Sequence, residues 1–175
     1  MNAGAAVLGG LIGGGAMVAV LYPMIWMLPR QMKMDFLKIV GTMVVPAGPA
    51  AYAAGLMIHG MMSAAFGLVH GGVLTGLDIE SAGAGAGAGA LIGFAHAAIA
   101  GTMLGVMPLM HPRMRPVHPK LVPAFAGGGS ISPDEELLDP PGFFGLNYPP
   151  LTVMGFFMLH VMFGLIVGVT YGALA

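Results

Sequence analysis

The chain has 175 residues, of which 57% are hydrophobic and 7% are charged, and its formal net charge is −1. Ordinary soluble domains carry about 25% charged residues, so this composition excludes a soluble protein with a fully water-facing surface. The sequence contains no cysteine, which excludes thiolate chemistry, and its near-neutral charge without a basic tail argues against a nucleic-acid partner.

Four apolar stretches occupy most of the chain. About 20 apolar residues suffice to cross a bilayer as a helix, and hydrocarbon requires every backbone group to be satisfied internally. Strand-like alternation does not compete with this pattern. We therefore predict an all-α membrane protein, a single four-helix transmembrane domain over residues 1–175. The predicted spans are 5–28, 50–73, 89–110 and 151–174, joined by loops 29–49, 74–88 and 111–150.

The basic residues predict how the bundle is oriented. All six lie in the first and third loops, whereas loop 74–88 carries only Asp78 and Glu80. The positive-inside rule places loops 29–49 and 111–150 in the cytoplasm and both termini outside. The expected location is a prokaryotic cytoplasmic membrane, with the lipid bilayer as a partner. The six basic residues are Arg30, Lys33, Lys38, Arg113, Arg115 and Lys120.

Each loop leaves two interpretations open. Loop 29–49 mixes apolar and basic residues, and is either a short helix in the cytoplasmic interface or an ordinary basic loop. Alternating alanine and glycine at 82–90 is either a flexible approach to the third span or its first turns, packed closely on a neighbour. Loop 111–150 is rich in proline and glycine, and is either a docking element or disordered.

Methionine and glycine separate by depth in the predicted topology. The outer halves of the spans are rich in glycine, and Gly164, Gly168 and Gly172 form a ridge that lets helices approach closely. The cytoplasmic halves are rich in methionine. We expect a tapered bundle whose wider inner end is either a cytoplasm-facing cavity or a core filled by methionines, and close packing of protein interiors favours the filled core.

Four histidines lie inside the apolar stretches, where an ionisable group is a functional hypothesis by default. His59 and His160 are about ten residues from the cytoplasmic side, near ~15 Å and the bilayer midplane, and His96 lies slightly above them. His70 falls in the tight outer end, where packing is the better explanation. The three deep histidines either bind a ligand or proton, or hold helices together by hydrogen bonds.

Two ligands suit these side chains. Haem b takes axial histidines, and His59 with His160 is the natural pair, with His96 as a third candidate. Copper(I) favours thioether and imidazole ligands. Methionines at helical spacing form two candidate sets: one begins in the third span and continues to His118, and the other surrounds His160. No cofactor at all is an equal alternative. The soft-donor candidates are Met103, Met107, Met110, His111, Met154, Met158 and Met162.

Two motifs carry a resemblance. Met34-Asp35-Phe36 follows the first span, and His160-x3-Gly164-x3-Gly168-x2-Tyr171-Gly172 lies in the last. In these the chain resembles small, uncharacterised four-helix membrane proteins of bacteria and archaea. The resemblance implies a bundle of unknown activity and transfers no site residue. The Met-x3-Met and Gly-x3-Gly elements are also similar to those of three-helix copper-permeating channels.

The expected function is a non-enzymatic membrane subunit. It would pack in a homo-oligomer or a larger membrane complex, with midplane histidines that contact a metal, haem or pigment. Two alternatives remain open: a copper transporter or chaperone that uses the methionines and histidines, and a haem-binding membrane oxidoreductase subunit. The sequence has no phosphate-binding loop, and its acids lie outside the spans, which argues against a Ser-His-Asp hydrolase.

Overall fold

Four long helices form the protein. The computed structural model describes residues 1–115 and 137–174, and in these ranges it is helical apart from turns, loops and one isolated β-bridge. Each long helix is long and apolar enough to cross a bilayer, which is the architecture of an integral membrane protein in contact with lipid. The predicted four-helix class is confirmed. The helices are α1 (Ala3–Met27), α2 (Phe36–Gly41), α3 (Pro49–Gly76), α4 (Ala82–Val106) and α5 (Pro150–Leu174).

Side-chain caps fix where three helices begin. The side chains of Asn2, Asp35 and Ser81 accept hydrogen bonds from backbone N–H groups in the first turns of α1, α2 and α4. Such caps satisfy donors that a helix start leaves free. Because Ser81 is the cap, α4 starts at Ala82 and the alanine–glycine block is helical. Of the two interpretations of this block, the structure has the packed first turns.

The helices are arranged around α1 and α5. Helix α1 lies between α3 and α5, and α4 packs along α5 in the most extensive contact of the bundle. In contrast, α3 and α4 make little contact with each other. We call the end that holds Asn2 and the α3–α4 connection the terminal end, and the end that holds α2 the basic end. The bundle is therefore a partly open ring, with its seam between α3 and α4.

Glycines bring α4 and α5 into backbone contact. A methyl group added at Gly85 or Gly89 would overlap the carbonyl oxygen of Gly168 or Gly164. The same holds in the other direction for Gly164 and Gly168, and Gly172 meets the carbonyl of Ser81. Close approach of this kind needs small residues at four-residue spacing. The three α5 glycines thus face α4 where the two backbones touch.

Glycines also seat α1 against its neighbours. Gly10 and Gly14 face Ser63 of α3, while Gly9 and Gly13 face Val167 and Phe163 of α5. These positions lie in the half of α1 nearest the terminal end. Two adjacent close contacts therefore hold α3 and α5 against α1 in that half of the bundle.

The first loop contains a helix that packs inside the bundle. The structure has a helix there, and Leu37, Ile39 and Val40 on it are buried, while its placement in a cytoplasmic interface stays a prediction. The carbonyl of Leu37 lies against Gly55 of α3. The start of the loop is fixed to α5, since the Thr152 hydroxyl donates to the carbonyl of Gln31 at 2.7 Å. Helix α2 thus closes the basic end of the bundle.

Replacing Gly89 by valine should destabilise the protein. The added side chain would overlap the α5 backbone, and overpacking of this kind costs about 1–3 kcal/mol or more. Gly87 provides a matched control, since a methyl group there meets nothing within 4 Å. In detergent, the midpoint of thermal unfolding followed by circular dichroism should fall for Gly89→Val and stay near wild type for Gly87→Val. Equal midpoints for both variants would contradict the packing described here.

Candidate functional site: a cavity inside the bundle

A cavity of about 310 Å³ lies between the helices, from the middle of the bundle towards the basic end. All four long helices and α2 contribute to its wall. Ligand pockets in proteins typically measure about 300–1,000 Å³. Close packing favours a filled methionine core, whereas the structure leaves this space open and has methionines in its wall.

The cavity wall is almost wholly apolar. Its few polar side chains include Ser63, which donates to the His59 carbonyl, and Thr152, which donates to Gln31. Three of the four span histidines, His59, His96 and His160, line it as well. Methionines form much of the remainder, and their flexible thioethers adapt to irregular shapes. The lining methionines are Met17, Met32, Met34, Met43, Met62, Met103 and Met107.

The seam between α3 and α4 opens the cavity to the side of the bundle. Met62 on α3 and Ile99 and Met103 on α4 line the cavity, yet they are 37%, 66% and 53% exposed. A side chain that both lines a cavity and is exposed lies at its mouth. This mouth is on the lateral surface of helices that are apolar enough to stand in lipid. It therefore opens towards the hydrocarbon of a bilayer.

Asp35 holds the α2 wall of the cavity in place. Its carboxylate accepts hydrogen bonds from the hydroxyls of Tyr22 on α1 and Tyr52 on α3, both at 2.6 Å. It also caps α2 by accepting from the backbone N–H of Lys38. One carboxylate thus joins three helices. In the sequence, Asp35 stands among basic residues, and Tyr22 and Tyr52 lie near the basic ends of the two neighbouring spans. This pattern is the signal that could have indicated the role of Asp35.

His59 is engaged with α1. Its Nε2 lies 3.1 Å from the Gly14 carbonyl oxygen, and because a carbonyl only accepts, Nε2 donates. The ring also packs edge-on against Phe36 at 5.5 Å between centroids. These contacts fix His59 between α1 and α2 on the α3 side of the cavity.

The other three span histidines form a cluster, which we call the imidazole cluster. The ring of His96 lies 5.0 Å from that of His160 and 5.4 Å from that of His70, both in edge-to-face contact. His160 donates through Nδ1 to the Phe156 carbonyl at 2.8 Å. His96 and His160 face the cavity, whereas His70 lies behind them against Phe163. The direct ring contact is thus among His70, His96 and His160, and His59 stands apart.

The cluster contains buried nitrogens without partners. Both ring nitrogens of His70 and Nδ1 of His96 are buried and find no hydrogen-bond partner among the residues that the structure describes. Leaving a buried polar group unsatisfied costs about 1–3 kcal/mol. His70 therefore does not hold helices together by hydrogen bonds. Burial by packing alone, expected for His70 from its position, leaves these nitrogens unexplained.

The structure brings only some of the soft-donor candidates to the cavity. Met103 and Met107 line it together with His160. Met154 and Met158 are 62% and 66% exposed on α5, on a different face from the cavity-lining His160. Met162 packs against the buried Leu21–Met32–Leu159 cluster, and Met110 is also exposed. His118 lies outside the described residues. In residues 1–115 and 137–174, no three or more His, Asp or Glu side chains are grouped to hold a metal ion.

His111 is buried and fully hydrogen-bonded beneath α2. Its Nε2 donates to the Ile39 carbonyl at 2.8 Å, and its Nδ1 accepts from the backbone N–H of Arg113 at 3.1 Å. Burial, together with the positive charge of Arg113, lowers the pKa of His111 below its usual value. With both nitrogens in use, His111 joins the end of α4 to α2 in this structure.

Comparison with known proteins adds no family. No protein-family model matches the chain, and neither the curated proteins nor the solved structures gave a match. The resemblance drawn from the two short motifs therefore stays a prediction.

Acidification should destabilise the protein in part through His111. Because its pKa is lowered in the folded state, the unfolded chain binds the proton more readily, and stability falls as the pH drops below the ordinary histidine value of about 6.5. The unfolding midpoint should therefore decrease between pH of about 7.5 and 5.5, with a smaller decrease in His111→Asn. Identical pH dependence in both proteins would contradict this role.

Replacing Asp35 by asparagine should loosen α2. The variant keeps the shape of the side chain but loses the charge of the carboxylate that accepts hydrogen bonds from both tyrosine hydroxyls. Hydrogen bonds to charged groups contribute about 1.5–3 kcal/mol. We expect a lower unfolding midpoint and faster amide exchange in α2. Glu80→Gln, a change of the same kind at the exposed terminal end, should have neither effect. Unchanged exchange in α2 of Asp35→Asn would refute the assignment.

Proposed function

We propose that this protein is a non-enzymatic membrane protein that takes one elongated apolar molecule from the bilayer into its cavity. The observation that carries the proposal is the apolar cavity with its mouth at the α3–α4 seam. A mouth in the lateral surface admits molecules already dissolved in lipid. Candidates are lipid-like molecules with a chain or ring system of moderate size.

Selectivity in such a site arises from shape and polar contacts. A molecule that leaves lipid for the cavity gains no hydrophobic free energy, because lipid tails are as apolar as the wall. Binding then depends on dispersion contacts with methionine and phenylalanine side chains and on the few polar atoms that face the cavity. Phe66, Phe156 and Phe163 supply flat surfaces beside the histidines.

Copper(I) binding is the second candidate. The specific observation in its favour is that Met103 and Met107 share the cavity with the imidazoles of His96 and His160, a donor set that Cu(I) prefers. Met103→Leu separates the two functions, because it removes the thioether but keeps the apolar shape. Stoichiometric copper after purification that is lost in Met103→Leu would favour copper. Retention of a lipid-like ligand in the same variant would favour the leading proposal.

Haem b suits the described residues less well. The Nε2 of His59 is already bonded to Gly14, and the ring contact at the cavity is between His96 and His160. No lysine or arginine is among the described residues that line the cavity, so none would pair with propionates there. Packing with further copies or subunits and the inside or outside placement of the termini stay predictions.

Filling the cavity should abolish ligand binding. Ala100 lines the cavity, whereas Ala95 on the same helix is exposed and does not line it. Native mass spectrometry of the detergent-purified protein with added farnesyl methyl ether, an uncharged apolar molecule, should show one retained molecule per chain. We expect Ala100→Phe to lower the retained fraction about tenfold or more, and Ala95→Phe to leave it unchanged; a tenfold loss corresponds to about 1.4 kcal/mol.

A second pair of variants tests the proposal even if Ala100→Phe fails to fold. Met103→Trp narrows the mouth at an exposed position, and Met158→Trp makes the same change on the outer face of α5. Reduced retention in Met103→Trp alone would support the lateral mouth. Equal retention in wild type, Ala100→Phe and Met103→Trp would overturn the proposal.

A further inference from the structure

The imidazole cluster stands at the edge of the cavity with unused hydrogen-bonding capacity. His70 is 1% exposed, and neither of its ring nitrogens has a partner in the described part of the chain. The buried Nδ1 of His96 is in the same state. Buried polar groups in proteins are nearly always paired with protein, water or ligand. Of the cluster, only His96 and His160 line the cavity, so a ligand there can reach these two side chains and not His70.

The hydrogen bond of His160 determines which partner fits that side chain. Its Nδ1 donates to the Phe156 carbonyl on the preceding turn of α5. A neutral imidazole that donates through one nitrogen carries a lone pair on the other, so Nε2 is an acceptor. His160 lines the cavity, and an acceptor there needs an O–H or N–H donor. A carbonyl or ether oxygen offers none.

His96 complements this acceptor. Its ring lines the cavity in edge-to-face contact with His160. Its Nδ1 is buried, so Nε2 is the nitrogen that a ligand can reach, and a neutral imidazole protonated there donates. Phe66 packs against the ring of His96 at 4.1 Å between centroids. An acceptor and a donor on adjacent rings match a hydroxyl group, which donates through its hydrogen and accepts on its oxygen.

We infer that the cavity binds an apolar molecule carrying a hydroxyl group, with the hydroxyl donating to Nε2 of His160 and accepting from His96. The inference rests on the proposed function and names its ligand class. The apolar wall contacts the chain or ring system, and His96 and His160 hold the one polar end. Isoprenoid alcohols and quinols both carry this chemistry.

The test compares a hydroxyl with its methyl ether in the same cavity. Farnesol and farnesyl methyl ether share the apolar chain, but only farnesol donates a hydrogen bond. In native mass spectrometry of the purified protein, we expect farnesol to bind about fivefold more tightly or better, the size of one net hydrogen bond. A decyl-benzoquinol in its reduced form is tested as well. Whichever of the quinol and farnesol binds more tightly identifies the class of hydroxyl compound that the cavity prefers.

Two variants assign the hydroxyl contacts, and a third is the control. In His160→Phe the ring stays but the acceptor is lost, so alcohol and ether should bind equally. In His96→Phe both should weaken, because the ether oxygen also accepts from His96. His70→Phe, behind the cavity wall, should keep the preference for the alcohol.

The outcomes separate the two proposals. Equal binding of farnesol and its ether to the wild type, with both lost in Ala100→Phe, would overturn the hydroxyl inference and leave the cavity function intact. Equal binding to the wild type that Ala100→Phe does not change would overturn both. Preference for the alcohol that survives His160→Phe would also refute the assigned acceptor.

Discussion

The contact between the α4 and α5 backbones is the constraint on which the rest of the structure depends. Glycines on both helices remove the side chains that would keep the backbones apart, from Gly85 to Gly93 on one side and Gly164 to Gly172 on the other. Helix α1 is seated by glycines in the same half. Towards the basic end the tight glycines face other partners, with Gly55 against Leu37 and Gly101 against Phe144, and α3 and α4 make little contact with each other. The cavity is the consequence.

Keeping such a space open requires a rigid wall at the basic end. Helix α2 supplies it, and it is fixed from three directions by Asp35, by the Gly55 contact with α3 and by His111 below. Without these contacts the flexible methionines would collapse into the space, since apolar voids lose dispersion contacts. The side chains of Asp35 and His111, which hold α2, lie outside the cavity wall, and the wall stays almost wholly apolar.

The histidines fall into two groups, according to whether their ring nitrogens have hydrogen-bond partners. His59 and His111 are paired with backbone carbonyls and join elements of the fold. His70 and His96 hold buried nitrogens without partners in the described residues, which a purely structural role does not explain. In an apolar interior a neutral imidazole without partners is a poor source of stability and a good recognition element. Of the imidazole cluster, His96 and His160 line the cavity, whereas His70 lies behind them.

The sequence by itself determined the number of spans, their helical state and the close approach through Gly164, Gly168 and Gly172, because these follow from local hydropathy and side-chain size. It also predicted histidines at similar depth, since depth follows from rise per residue, and their depth in a bilayer stays a prediction. Only the tertiary structure decided which faces meet. It turned Met154 and Met158 outwards, placed His160 against His96 and not against His59, and left the cavity open, because helix rotation depends on contacts between distant residues.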